Sequence, residues 1–254
     1  MEMATQIPQV IHYCWFGRGS LPTLAQQCIA SWRRHMPHYV IKEWNEENFD
    51  VMAIPYIAEA YRLGKYAFVS DYARFWILYH HGGIYFDTDV ELLRPVDDLA
   101  ARGAFLGFEC QEGVAADCPH GNVGAGLGMA APAGHPYFEK MVDYYSRLHF
   151  VGWNGKCTGN VVSHATRLIH FDSKQLLPDG AVLVDDLYIY PTDVFCPLNY
   201  YTGQLTITHR TRSIHHYMAS WKKRATRWQS LLQRLRFVAV RLSLMCTHRL
   251  PPTH

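Results

Sequence analysis

No aspartate or glutamate follows Asp193 in this chain of 254 residues, while Lys and Arg go on accumulating. The formal net charge of +2 thus hides an asymmetry, with the acids confined to the first part and a basic end. Cysteine is equally unorganised. Seven are scattered, an odd number, with no Cys-x-x-Cys pair. That excludes a disulfide framework and a zinc knuckle and fits a reducing compartment. Long apolar runs are missing too: Phe237–Cys246 is short and broken by Arg241, so no membrane-spanning helix is expected. The opening residues, MEMATQIPQV, carry neither a basic segment nor a long apolar one, so no secretory signal is expected. Repeats and low-complexity tracts are absent. What remains is 49% apolar residues and many aromatics. That composition rules out a disordered chain and suits one α/β domain with a sizeable core, or two small ones.

One stretch organises the rest: Tyr66–Val96, YAFVSDYARFWILYHHGGIYFDTDVELLRPV. Phe68, Tyr72, Phe75, Trp76 and Tyr79 recur at helical spacing, which predicts a helix over Tyr66–Tyr79. Gly82 and Gly83 stop it. Ile84-Tyr85-Phe86 then reads as a short strand delivering Asp87-Thr88-Asp89. In an open α/β sheet, ligands bind beyond the carboxyl ends of strands. Strand alternation sends the two carboxylates to one side, where they repel unless a cation lies between them. Hard divalent ions prefer such oxygen ligands. The bland alternative is a solvated acidic turn, and for an isolated Asp-x-Asp that is the better reading.

SDYARFWILYHHGGIYFDTDVELLRPVDDL resembles the DxD region of glycosyltransferase family 32, the bacterial capsule and lipopolysaccharide glycosyltransferases related to the yeast initiating mannosyltransferase. It is also similar to the donor site of the clostridial glucosylating toxins. The resemblance implies a GT-A fold, with a mostly parallel central sheet flanked by helices. It further implies a nucleotide-sugar donor, a divalent metal and retention of anomeric configuration. By the same match Ser70, Asp71, Arg74 and Tyr85 fall among donor-binding residues. Arg74 would fork onto phosphate or sugar oxygens, and Asp71 would accept from hydroxyls. An ordinary surface ion pair between Asp71 and Arg74, three apart on a helix, is the alternative.

Around this stretch the chain alternates strand and helix, as parallel α/β units do. Strands are expected over Ile7–Phe16, Tyr39–Trp44, Phe105–Glu109 and Ala181–Tyr190. Helices are expected over Leu21–Arg34, Ile54–Leu63, from Pro136 to about Leu148, and over Asn160–Ile169. Asp185-Asp186 reads as a turn within the last strand-like segment, and Cys110–Gly128 as a loop. Trp15, where the first strand gives way to Gly17-Arg18-Gly19, is placed to stack on a planar ligand or else to fill the core. The resemblance puts a base-covering aromatic there, which implies uracil and a UDP-sugar. Asn48 either contacts the donor or caps the next short helix. Pro191–Tyr201 is expected to be structural.

Near the end, SIHHYMASW resembles the family's closing His-aromatic run. By that match His216 is the metal ligand beside Asp87 and Asp89, with His215 on the other face if the segment is extended. Ser220 and Trp221 would lie over the diphosphate. One imidazole among carboxylate oxygens favours Mn²⁺, with Mg²⁺ as the alternative. The domain is expected to span residues 1–221, followed by a basic tail, 222–254. Leu231, Leu235, Val238 and Leu242 make a helical apolar stripe there. That tail either packs on the domain or lies on an anionic membrane at the cytoplasmic face of the inner membrane.

The reading is thus a retaining, metal-dependent glycosyltransferase with Asp87, Asp89 and Arg74 at its chemistry. Its partners would be a nucleotide-sugar and a saccharide or lipid-linked glycan, as in bacterial surface polysaccharide synthesis, and no nucleic acid. Two competitors are a haloacid dehalogenase-like phosphohydrolase, whose motif usually continues Gly-Thr where Val90-Glu91 stand, and a non-catalytic sugar- or metal-binding protein.

Overall fold

The computed structural model describes residues 6–110, 121–151, 161–200 and 202–218. The chain opens with β1 (Val10–Cys14), α1 (Thr23–His35), β2 (Val40–Trp44), α2 (Pro55–Arg62) and α3 (Tyr66–His81). Next come β3 (Gly83–Tyr85), β4 (Val90–Leu92), α4 (Asp97–Arg102), β5 (Ala104–Cys110), β6 (Asn122–Val123) and β7 (Met129–Ala131). Then follow α5 (Pro136–Ser146), α6 (Val161–Arg167), β8 (Gln175–Leu176), β9 (Val182–Val184), β10 (Leu187–Tyr190), α7 (Thr192–Phe195) and β11 (Ser213–His215).

The main sheet has the order β2-β1-β3-β7-β5-β10-β9-β8, with β6 beside β5. Pairing is parallel for β1 with β2, β1 with β3 and β5 with β10. It is antiparallel where β7 joins β3 and β5, and where β9 joins β10 and β8. Along this path β2, β1, β3, β5, β10 and β8 therefore point one way, and β7 and β9 the other. The sheet is mostly parallel and helix-flanked, as expected.

Alternation along the strands feeds two apolar layers. On β5, Ala104, Leu106 and Phe108 face the layer built with α2, α3 and α5. Phe105 faces the opposite layer with Trp32 of α1 and Phe195 of α7. A strand buried on both faces reads as a continuous apolar run, which is why β5 was visible in sequence. β7 was not, because three residues at the end of a Gly-rich stretch carry no period. Yet it is what separates β3 from β5. Asp185-Asp186 form the turn of the β9–β10 hairpin, with Asp185 at φ 54. The expected boundary at residues 221 and 222 and the whole tail lie outside the described residues.

A second, two-stranded sheet pairs β11 antiparallel to β4. It brings the end of the described chain back onto the exit of the Asp-x-Asp segment, so two regions far apart in sequence meet at the carboxyl ends of β1 and β3.

Candidate active site

α3 ends where Gly82 (φ 62) and Gly83 (φ 101) take backbone angles that other residues rarely adopt. A Cβ at Gly83 would lie 2.8 Å from the Val10 carbonyl oxygen. Glycine thus lets β3 enter tightly beside β1. His12 on β1 seals the junction: Nε2 donates to Gly82 O at 2.9 Å, and Nδ1 accepts from Trp44 Nε1 at 3.0 Å. Burial pushes its pKa down to about 4 and keeps it neutral.

β3 stops at Tyr85, and Asp87-Thr88-Asp89 form a turn closed by Val90 N donating to Asp87 O at 3.0 Å. The acids therefore converge because the backbone turns, whereas the sequence argument assumed an extended strand. Asp87 Oδ1 accepts from the Tyr85 hydroxyl at 3.1 Å. Arg74 grips the same carboxylate, Nη1 to Oδ2 at 3.3 Å and Nη2 to Oδ1 at 3.2 Å. Asp89 Oδ2 accepts from Met218 N at 2.8 Å, and its Oδ1 lies 3.1 Å from His215 Nε2. Burial pushes the Asp89 carboxyl up, but the bonds from His215 and Met218 outweigh it and hold the carboxyl below its usual range.

One atom each from Asp87, Asp89 and His215 lies within 4.8 Å of the others. His215 Nδ1 is buried without a hydrogen-bond partner. Two carboxylates and an imidazole with an unsatisfied buried nitrogen fit a divalent cation of the Mn²⁺ or Mg²⁺ kind by donor chemistry. Burial opposes a charge on His215, but Asp89, Asp87 and Glu109 outweigh it and raise its pKa.

The expected ligand His216 belongs elsewhere. β11 pairs with β4 in the register Ser213–Leu92, Ile214–Glu91 and His215–Val90. Ile214 and His216 therefore share the face of Glu91, and His215 takes the other. His216 Nε2 meets Glu91 Oε2 at 2.9 Å, in an open pocket of about 340 Å³ lined also by Gln27, Cys28 and Arg34 of α1. It is His215, on the opposite face of β11, that turns to Asp89.

Arg74 also differs from expectation. Its side chain is 4% exposed. Nε donates to Ser70 O at 3.0 Å, Nη1 also donates to Ala125 O, and Nη2 reaches Asp71 Oδ1 at 2.9 Å. The guanidinium is fully engaged behind Asp87, so it positions that carboxylate and has no nitrogen turned to a phosphate. Burial works against its charge, but Asp87, Tyr85 and Asp71 raise its pKa. Burial pushes the Asp71 carboxyl up to about 7, with Arg74 opposing and Asp87 adding. The Ser70 hydroxyl turns back on Tyr66 O at 3.4 Å.

Trp15 stands half-buried beyond β1, its Nε1 donating to Gly19 O at 2.6 Å, so its ring is pinned at the strand end. Asn48 is exposed but occupied. It accepts from Asn45 N and donates to Glu43 O, both at 2.9 Å. It ties the turn after β2 and caps no helix, since α2 begins at Pro55 with Ile54 before it. Ser220 and Trp221 lie outside the described residues.

Three contributors escaped the sequence reading. Gly126 O accepts from Asp87 N at 3.0 Å, and a Cβ at Gly126 would lie 2.0 Å from Asp87 Oδ2. Glu109 and Tyr217 stand near His215. An acid ending an apolar strand was the available signal for Glu109, the same pattern that marked Asp87.

Residues 22–106 match the family model described as "Glycosyltransferase sugar-binding region containing DXD motif". The chain carries that region. It covers α1 through the start of β5, hence every residue of the Arg74–Asp87–Asp89 cluster. Among curated proteins, the chain is 29% identical over 112 residues to inositol phosphoceramide mannosyltransferase 1 of Schizosaccharomyces pombe, covering 40% of this chain and 34% of that protein. It is 28% identical over 144 residues to mannosyl phosphorylinositol ceramide synthase CSH1 of Saccharomyces cerevisiae, covering 54% and 34%. The chain thus matches about a third of the length of these relatives. Among solved structures, PaToxG glycosyltransferase aligns with a TM-score of 0.45 and 18% identity over 66% of this chain and 70% of that one. The likeness to DXD glycosyltransferases expected from the Tyr66–Val96 stretch is borne out.

Proposed function

We propose that this protein is a retaining, divalent-metal-dependent glycosyltransferase that moves a hexose from a nucleotide-sugar to a saccharide or lipid-linked glycan. The observation that carries it is the convergence within 4.8 Å of Asp87 and Asp89, from the DXD sugar-binding region, with His215 from the far end of the described chain. A bound divalent cation supplies charge neutralisation to a diphosphate leaving group, and stabilisation of developing charge commonly contributes most to the rate of such reactions. The chain's own residues set the stage. Arg74 and Tyr85 fix Asp87, while Met218 N and His215 fix Asp89, so both carboxylates are organised before a ligand arrives. Trp15, at the same sheet edge, offers a ring to a base. We take that base as uracil, and so the donor as a UDP-sugar. Both yeast relatives carry "mannosyl" in their names, which brings mannosyl nucleotides into the donor panel.

The test is a thermal-shift and product-release screen of UDP- and GDP-sugars with Mn²⁺ or Mg²⁺, run in parallel on Asp89→Asn. A stabilising donor, nucleotide release on adding acceptor glycosides, and loss of both in Asp89→Asn and in EDTA are expected. Nucleotide release that persists in EDTA, or in Asp89→Asn, defeats the reading. Release of free phosphate from phosphomonoesters without a nucleotide would favour the phosphohydrolase.

A further inference from the structure

The turn that follows β1 is built more firmly than a surface connection needs. Trp15 N donates to Trp44 O at 2.9 Å, and the Phe16 ring turns inward onto Phe49, with 5.7 Å between centroids. Gly17 and Arg18 then take φ 97 and φ 57, two left-handed residues in succession, one of them not glycine. Such a backbone is costly outside glycine and persists only where its surroundings impose it. Here they do so from two sides. Glu46 Oε1, from the turn after β2, accepts from Gly17 N at 2.7 Å and from the Tyr61 hydroxyl of α2 at 2.9 Å. Opposite, Tyr66, the first residue of α3, covers Gly17 so closely that a Cβ there would lie 2.5 Å from its Cδ2. The Tyr61 and Tyr66 rings meet at 5.4 Å, which closes the clamp. The far end of the turn holds the indole: Gly19 O accepts the Trp15 Nε1–H at 2.6 Å. The Trp15 ring is therefore aimed by a turn that Glu46, Tyr61 and Tyr66 fix.

β1 and β3 are parallel neighbours with His12 opposite Tyr85, so Trp15 and Asp87 leave the sheet at one edge. α3 braces both. Its first residue, Tyr66, packs on the turn, and Arg74, eight residues on, grips Asp87. A ring already in place meets a base without the loss of side-chain freedom that ordering on binding would cost. We propose that Glu46 is a positioning residue for nucleotide binding. With Tyr61 and Tyr66 it fixes the Gly17–Gly19 turn, and through Gly19 O it presents the Trp15 ring to the base. This rests on the donor reading above, and adds that the base end of the site is preorganised by residues that touch no ligand.

Calorimetric titration of the full chain with UDP and with inorganic pyrophosphate, each with Mn²⁺, tests it, because pyrophosphate engages the metal cluster and has no base. Trp15→Ala should weaken UDP about fivefold or more, the low end for a base–aromatic stack, and leave pyrophosphate unchanged. Glu46→Ala should weaken UDP about three- to tenfold, the scale of one lost hydrogen bond, again with pyrophosphate unchanged, which also shows a folded cluster. Glu46→Gln keeps an acceptor oxygen and should bind UDP as wild type does. In the Trp15→Ala background, Glu46→Ala should cost nothing further, since the ring it positions is gone. Unchanged UDP affinity in Glu46→Ala, an equal loss of UDP and pyrophosphate, no recovery in Glu46→Gln, or additive losses in the double variant would each overturn the positioning role while the donor reading stands. If Trp15→Ala binds UDP as well as wild type, the ring covers no base. If wild type binds neither ligand with Mn²⁺, the donor reading itself falls. The positioning role falls with either.

Discussion

Gly126→Ala is the sharpest single perturbation of this site. Gly126 takes φ 130, where side chains are strained, at a cost on the order of 1–3 kcal/mol. The added methyl would also stand 2.0 Å from Asp87 Oδ2, 2.6 Å from Asp87 Cγ and 2.7 Å from Arg74 Nη1. None of these yields cheaply, because Asp87 is clamped by Arg74 and Tyr85, and Arg74 is clamped by Asp71, Ser70 O and Ala125 O. Relief requires Asp87 to leave its place, which adds roughly 1–3 kcal/mol of overpacking. A total of about 2–6 kcal/mol is large against a usual stability of about 5–15 kcal/mol, yet leaves a folded majority. Gly134→Ala separates the two contributions, since Gly134 has φ 80 and nothing within 4 Å of its Cβ position. Urea unfolding of both variants, with calorimetric titration of UDP and Mn²⁺, reads the result. Gly126→Ala should lose more stability than Gly134→Ala and should lose metal-dependent nucleotide binding, which Gly134→Ala keeps. Equal losses in the two, with nucleotide binding intact in Gly126→Ala, would show that Asp87 is not confined as described.

Three further outcomes follow from the same geometry. His215→Ala should abolish Mn²⁺-dependent UDP binding in titration calorimetry, whereas His216→Ala should cost only its part-exposed Glu91 pair, about 0–1 kcal/mol by urea unfolding; the reverse pattern restores the sequence assignment. His12 has a folded pKa of about 4 against an ordinary 6.5, so the unfolded chain binds the extra proton first. Its contribution is full above about pH 6.5 and is lost as pH falls toward 4, by roughly 3 kcal/mol in all, and its ring should stay neutral by NMR at pH 5. Trp15→Ala should weaken UDP binding by about 1–3 kcal/mol in the same calorimetric titration, and an unchanged affinity would make the ring core filler.

What sequence could show here was whatever depends on local order. The α3 helix, the double glycine, the short strand and the acids follow one another within thirty-odd residues, and each leaves a periodic or punctuating mark. Glu109 and Tyr217 leave almost none, because their significance is a meeting between β5 and the end of β11. Neither strand reveals its neighbour. Arg74 shows a subtler limit. Its type and spacing were right for the site, but whether a guanidinium faces a ligand or braces a carboxylate is decided by the depth of α3 under the sheet edge. That depth follows from packing against α5, and no motif encodes it.

The exchange of His216 for His215 makes the same point at the scale of one residue. Adjacent histidines on an extended segment lie on opposite faces, so the sequence poses a two-way choice and contains the alternation needed to frame it. What breaks the tie is register. Pairing Ile214 with Glu91 and His215 with Val90 turns His215 toward Asp89, while His216 N donates to Asp89 O at 2.9 Å and its ring goes to Glu91. A slip of one residue would exchange the two rings and leave both the apolar pattern and the DXD motif untouched. The carboxylate just beyond the motif, Glu91, thus matters twice. It follows the motif by two residues, and by accepting the imidazole of His216 it disfavours the register in which that ring would face Asp89. Glu91→Gln should therefore leave the metal cluster intact but loosen the choice between the two histidines. A second set of Mn²⁺-broadened imidazole resonances in Glu91→Gln, absent from wild type, is the expected sign. A single unchanged set would mean that Ser213 and Ile214 hold the register without Glu91.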